Sequence, residues 1–131
     1  MYTFVPQKKK DGSPRETWNA HRQLKQVHER IKNRFLRTVI FPLYLQGGIL
    51  DLSNPRDYVR NAGIHAGQAW IVNEDITDFF PSTSAEQVLD IWKGLFRFPH
   101  EVALTLTRLT SRRGVLPQGA KSYCQIWCMA S

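Results

Sequence analysis

An apolar run that ends in acid is the feature that most limits how this chain can fold. Residues 69–76 read Ala-Trp-Ile-Val-Asn-Glu-Asp-Ile. The first half has the composition of a buried strand. The second half carries Asp75 and leads into Thr77, Asp78, Phe79 and Phe80, before Pro81 and Ser82 break the strand. A carboxylate at the end of a buried strand needs water, a hydrogen-bond partner or a cation to stay charged. A divalent metal that also holds phosphate oxygens is one such cation. A strand-end Asp capping the next turn is the plain structural alternative, and Asp-x-x-Asp by itself is compatible with both.

Charge points to a polyanionic partner. The 131 residues carry a net charge of +7. Residues 1–37 hold all of that surplus, in Lys8, Lys9, Lys10, Arg15, Arg22, Lys25, Arg30, Lys32, Arg34 and Arg37 against Asp11, Glu16 and Glu29. A one-sided basic surface attracts and steers phosphate polymers, although a charged helix face also serves plain solubility. The hydrophobic share, 42%, is enough to bury a core and excludes a disordered polycation. The two cysteines, Cys124 and Cys128, exclude a disulfide-rich scaffold and an all-Cys zinc finger. No apolar run reaches the roughly 18 residues of a membrane span, and the first residues lack a signal-peptide core, so a cytoplasmic location and no membrane partner are expected.

The pattern of elements predicts an α+β chain. Residues 2–5 alternate as a short strand, Asp11-Gly12-Ser13-Pro14 makes a turn, and residues 15–18 return, which puts the lysines at a hairpin tip. Leu24, Val27, Ile31 and Phe35 form one helical stripe, with Arg22, Lys25, Lys32 and Arg37 off it. Pro42 interrupts that helix, and residues 45–49 around Gly47-Gly48 read as a loop. Asn54 as cap, Pro55 in the first turn and Asp57 near the positive helix end predict a helix carrying Tyr58, Ala62 or His65 and stopping near Gly67. Ser84 and Gln87 have capping-box spacing for a helix over 84–96, and Pro99 starts another through Val102, Leu106 and Leu109. His21, His28 and His100 show no partner pattern and are expected at the surface.

A second candidate site is Leu116-Pro117-Gln118-Gly119-Ala120. A rigid Pro followed by Gly lets backbone approach a flat ligand, and Gln118 offers both donor and acceptor; alone, the segment is equally a turn.

In this order, the segments resemble a bacterial retron-type reverse transcriptase. The basic strand-turn-strand with Phe4, Lys8 and Arg15 looks like the fingers hairpin. Asp75 to Phe80, continuing into Pro81 and Ser82, looks like the first carboxylate motif of the palm. Leu-Pro-Gln-Gly-Ala looks like the template and nucleotide contact that follows it, and Asn61-Ala62-Gly63-Ile64-His65 is similar to the Asn-Ala-x-x-His element of retron enzymes. The resemblance implies fingers over residues 1–50, a first palm segment over 51–83, further fingers and palm helices with the Leu-Pro-Gln-Gly loop over 84–120, and an atypical tail over 121–131.

It also implies roles. Asp75 would be the catalytic ligand of two Mg2+ ions with the Ile76 carbonyl beside it. Phe80 would pack under the sugar and reject ribonucleotides. Gln118 would touch the incoming nucleotide and template. Lys8 or a neighbouring lysine, with Arg15, would hold the triphosphate, and Asp78 would be structural or lie near that triphosphate. Lys9, Lys10, Arg22, Lys25 and Asn61 would contact nucleic acid, whereas His65 would contact the cognate RNA or simply pack. The implied partners are a structured RNA template and primer, nascent DNA, dNTPs and a candidate retron effector protein.

Two departures set further expectations. The family's second acidic motif, aromatic-x-Asp-Asp, does not occur in these 131 residues. A strand at 69–76 without that hairpin beside it is expected to have an open edge and an uncovered apolar face, and the chain as given to be inactive and poorly stable alone. The tail Tyr123-Cys124-Gln125-Ile126-Trp127-Cys128 also departs from the family. Every codon choice for it, read from the third base, gives Leu, Ser or Pro, Asn or Asp, Leu or Met, then Val, close to the family's sequence there. A one-base frame change near Lys121 or Ser122 would explain it, and the coding DNA decides. The alternatives to a polymerase segment are a non-catalytic RNA-binding protein of the same fold and a metal-dependent nuclease using Asp75 and Asp78.

Overall fold

The computed structural model describes residues 1–46, 54 and 56–119. The Gly47-Gly48 loop, the Pro55 position and the tail with Cys124 and Cys128 lie outside the described residues.

The hairpin forms as its turn chemistry dictates. Strand β1 (Tyr2–Lys8) pairs antiparallel with β2 (Pro14–Ala20). At the tip, Gly12 takes φ +84°, a conformation that costs glycine little. The Asp11 carboxylate accepts hydrogen bonds from the Ser13 amide and hydroxyl at 2.9 and 2.7 Å. These bonds favour its ionised form and lower its pKa. Phe4 and Trp18, directly opposite each other, pack ring to ring at 5.1 Å.

Helix α1 (Arg22–Arg34) follows with Lys32 and Arg34 in its last turn, where cations suit the negative helix end. A short 3-10 turn at Leu36–Thr38 carries the chain on. The main core lies between α1, helix α4 (Ala85–Gly94) and helix α5 (His100–Thr110). Trp92 is completely buried there, 5.0 Å from the Phe96 ring, with Ile31, Leu36, Val88, Leu106 and Leu116 in the same cluster. Ser84 begins α4 with the reciprocal capping box predicted from its spacing to Gln87.

Three expectations about the helices need correction. The stripe of α5 is rotated from the predicted one: Val102 is exposed, whereas Ala103, Leu106, Thr107 and Thr110 are buried. The buried threonines are accommodated because Thr107 and Thr110 donate to the Ala103 and Leu106 carbonyls. His28 is buried, at 3% exposure, and its Nε2 lies 2.8 Å from the Leu109 carbonyl, so it ties α1 to α5. A carbonyl can only accept, so Nε2 carries the proton of that bond. The third concerns helix α2 (Tyr58–Ile64), which starts later than predicted. Asp57, not Asn54, is its cap, accepting from the Arg60 amide, and the helix ends before His65 rather than near Gly67.

The largest departure is at residues 69–76, which form no strand and are exposed throughout. Trp70 is 92% exposed. The physical reason is pairing: a strand is stable only with a neighbour to bond its backbone, and among the described residues β1 and β2 pair only with each other. Pro81, expected to break that strand, sits instead inside the single helical turn α3 (Phe79–Ser82).

Burial holds the His28 imidazole below its ordinary value of 6.5, against the opposing pull of its bond to Leu109. The folded state therefore resists protonation while the unfolded chain takes up a proton near 6.5. This contribution to stability is complete above that pH and drains away as pH falls through it toward the lower folded value. Denaturant midpoints at about pH 7.5 and about pH 5.5 should show that His28→Gln loses less stability on acidification than the parent chain. Equal losses would remove His28 from the account.

Candidate functional site

The Leu-Pro-Gln-Gly loop joins segments far apart in sequence. Arg112 and Val115 exchange backbone bonds across a tight turn whose central residues, Arg113 and Gly114, both have positive φ (51° and 83°). Beyond it, the Leu116 amide donates to the Thr83 carbonyl at 3.1 Å, just after α3. Farther on, the Gln118 carbonyl accepts from the Trp18 amide at 2.8 Å, on the outer edge of β2. The loop thus covers a strand edge that would otherwise be bare. Gly119 supplies the backbone conformation that this approach uses. Its φ is +98°, which disfavours other residues, although a Cβ there would stand in ordinary contact, 3.4 Å from both the Thr17 Cβ and the Trp18 carbonyl.

The result is one open cleft of about 620 Å3. Asp75, Ile76, Asp78 and Phe80 line it together with Lys9 and Arg15 of the hairpin and Gln118 of the loop. Asp75 is exposed, with no protein partner for its carboxylate among the described residues. Asp78 adopts the left-handed conformation at φ 49° and occupies the cap position of α3, but its side chain caps nothing. It faces Lys9 instead, with Nζ 3.6 Å from Oδ1. Both partners are well exposed, so this ion pair adds little stability. Its significance is position: it spans the cleft from hairpin tip to acidic segment.

Strand register sorts the basic residues. Arg15 pairs with Gln7, whereas Lys8 pairs with Pro14, so Lys8 and Arg15 stand on opposite faces of the hairpin. Lys9, not Lys8, shares the cleft with Arg15. Lys10 lies at the tip outside the cleft lining, and Arg22 and Lys25 are exposed on α1. Asn61 and His65 lie on and just after α2, exposed and outside the cleft. Sequence reasoning missed the Arg112 side chain, whose Cζ lies 3.2 Å from the Trp18 ring centroid. Only the Ser-Arg-Arg-Gly turn composition hinted at it.

The donors suit part of a Mg2+ shell. The Asp75 carboxylate, exposed, and the Ile76 backbone carbonyl are hard-oxygen donors, and the cations of Lys9 and Arg15 line the same cleft. No group of three or more His, Cys, Asp or Glu side chains converges among the described residues. Mg2+ commonly takes one or two carboxylates and completes its shell with water and substrate phosphate, so this half-shell fits a metal that arrives with a polyphosphate.

Comparison with known proteins identifies relatives of the chain. No family model matches the chain. It is 34% identical over 110 residues to the Retron Se72 reverse transcriptase of Salmonella heidelberg, covering 84% of this chain and 28% of that protein. It is 28% identical to the Retron Ec48 and Ec86 reverse transcriptases of Escherichia coli, over 98% and 93% of this chain and 34% and 36% of theirs. The chain thus spans about a third of the length of these curated relatives. Among the described residues, no helix is long and apolar enough to cross a membrane.

If Gly119 sets the loop against β2, Gly119→Ala should destabilise the chain by about 1–3 kcal/mol through its backbone conformation. It should also speed hydrogen exchange at the Trp18 amide, which bonds Gln118. Unchanged protection at Trp18 would show that the loop does not depend on this glycine.

Proposed function

We propose that this relative of the retron reverse transcriptases is the fingers and first palm portion of an RNA-directed DNA polymerase, and that its cleft binds a dNTP with Mg2+. The observation that carries this is the convergence of Asp75, Gln118 and the Lys9–Arg15 pair on a single cleft. An acid wall facing two phosphate-binding cations is the charge pattern that a metal-bound triphosphate requires.

Asp75 and the Ile76 carbonyl would be the chain's ligands to Mg2+. Bound there, Mg2+ would help deprotonate a primer hydroxyl and neutralise charge on the departing pyrophosphate. Arg15 would grip the triphosphate through its planar fork and Lys9 as a point charge. Lys9 would exchange its exposed Asp78 partner for phosphate at little cost, since that pair is weak. Phe80, half-buried at the cleft wall, would supply an apolar face under the sugar. Gln118 would be held for hydrogen bonding to the base pair by its own backbone bond to β2. These 131 residues lack the second acidic pair, so extension would require it from elsewhere.

The experiment is Mg2+-dependent primer extension on an RNA template. The chain alone should extend nothing, and the chain joined to a segment bearing aromatic-x-Asp-Asp should extend. In that longer form Asp75→Asn should lower extension at least about 100-fold, and Phe80→Ala should raise the share of ribonucleotide incorporated. Full extension by Asp75→Asn would overturn the proposal.

A further inference from the structure

A second, smaller concavity of about 100 Å3 lies beside the main cleft and meets it at Pro81 and Gln118. Trp18, Arg112, Arg113 and Glu16 line it. Arg112 stands over the indole, Cζ to centroid 3.2 Å, a cation–π contact that holds a guanidinium without using its N–H donors. Arg113 follows at φ 51° in the tight turn and is exposed. Neither arginine forms an ion pair with any described carboxylate, although Glu16 shares the concavity. The fold thus holds Arg112 against Trp18 with Arg113 next to it in the turn, and neither is neutralised by a described carboxylate.

Register decides what kind of ligand suits them. Glu16 and Trp18 stand on one face of the hairpin and Arg15 on the other, because successive strand residues alternate. The arginine pair therefore shares its concavity with one face of the hairpin and the main cleft takes Arg15 from the other, the two meeting at Pro81 and at the edge where Gln118 docks. A compact nucleotide can occupy one face. A ligand that reaches from Gln118 to Arg112 and Arg113 must pass around the strand edge, as a polymer does.

We propose that Arg112, held on Trp18, and Arg113 form a phosphate-contact site for a single-stranded nucleic acid that runs from the main cleft around the edge of β2. This deepens the polymerase assignment and rests on it only for the identity of the neighbouring cleft. The site reads backbone rather than base, since its donors are cations and its aromatic face is covered by Arg112. Glu16 opposes the strand and limits its affinity.

The test measures binding of the full chain to a labelled short single-stranded RNA by fluorescence anisotropy across a salt series, without metal. The variant Arg112→Met with Arg113→Gly is the main probe, and glycine suits the positive φ at 113. Its affinity should fall about tenfold, and its salt slope should shrink by about 1.4, the value for two single-strand phosphate contacts. Trp18→Leu should weaken binding although both arginines remain, Trp18→Phe should bind nearly as the parent does, and Glu16→Gln should bind more tightly. Arg113→Gly alone, at an exposed turn, guards against misfolding and should lose about half of the slope change. Unchanged affinity and slope in both arginine variants would overturn the proposal, as would absence of RNA binding by the parent chain. Inorganic triphosphate binding with the same dependence on Arg112 and Arg113 would also overturn it, assigning the pair to a nucleotide tail. Because no metal or extension is involved, a failure here is separable from a failure of the Asp75 experiment.

Discussion

The structure depends on how a single loop is sewn at both ends. The Leu116 amide is bonded to the Thr83 carbonyl and the Gln118 carbonyl to the Trp18 amide, with Gly119 supplying the positive-φ turn beyond them. Each bond by itself contributes only about 0.5–1.5 kcal/mol. Their value lies in geometry, because they bring together a hairpin near the start of the chain, an acidic turn in its middle and a glutamine near residue 118. Leu116 is buried in the same cluster as Trp92, so the stitch is anchored by apolar packing and not by hydrogen bonds alone.

The segments that the stitch does not reach behave differently. Residues 57–64 around α2 and residues 69–76 have apolar side chains facing water, with Tyr58, Val59, Trp70 and Val72 strongly exposed. Asp75 stands at the boundary, attached to the packed half through α3 and open on the other side. Water reaches a carboxylate so placed, which also leaves it accessible to a hard cation.

Local chemistry was legible in the sequence and long-range placement was not. The Asp-Gly turn of the hairpin, the Ser84–Gln87 capping box and the stripe of α1 are written in neighbouring residues, and they formed as expected. The strand at 69–76 was misread because its composition describes a strand only when a partner supplies the ladder. His28 was misread because its acceptor is a carbonyl 81 residues away. The exchange of Lys8 for Lys9 beside Arg15 follows from hairpin register, which a turn of uncertain length does not reveal. The motif residues Asp75, Asp78, Phe80 and Gln118 were each found as chemistry, while their convergence on one cleft needed the fold.

The proposed function turns on Asp75 and the Lys9–Arg15 pair acting on one metal-bound triphosphate. The most direct measurement replaces Mg2+ by paramagnetic Mn2+ in the presence of a dNTP and follows broadening of backbone amide resonances. The account predicts strong broadening at Ile76, Asp78 and Gln118, present only with the nucleotide and lost in Asp75→Asn. Broadening centred elsewhere, or surviving unchanged in Asp75→Asn, would contradict it.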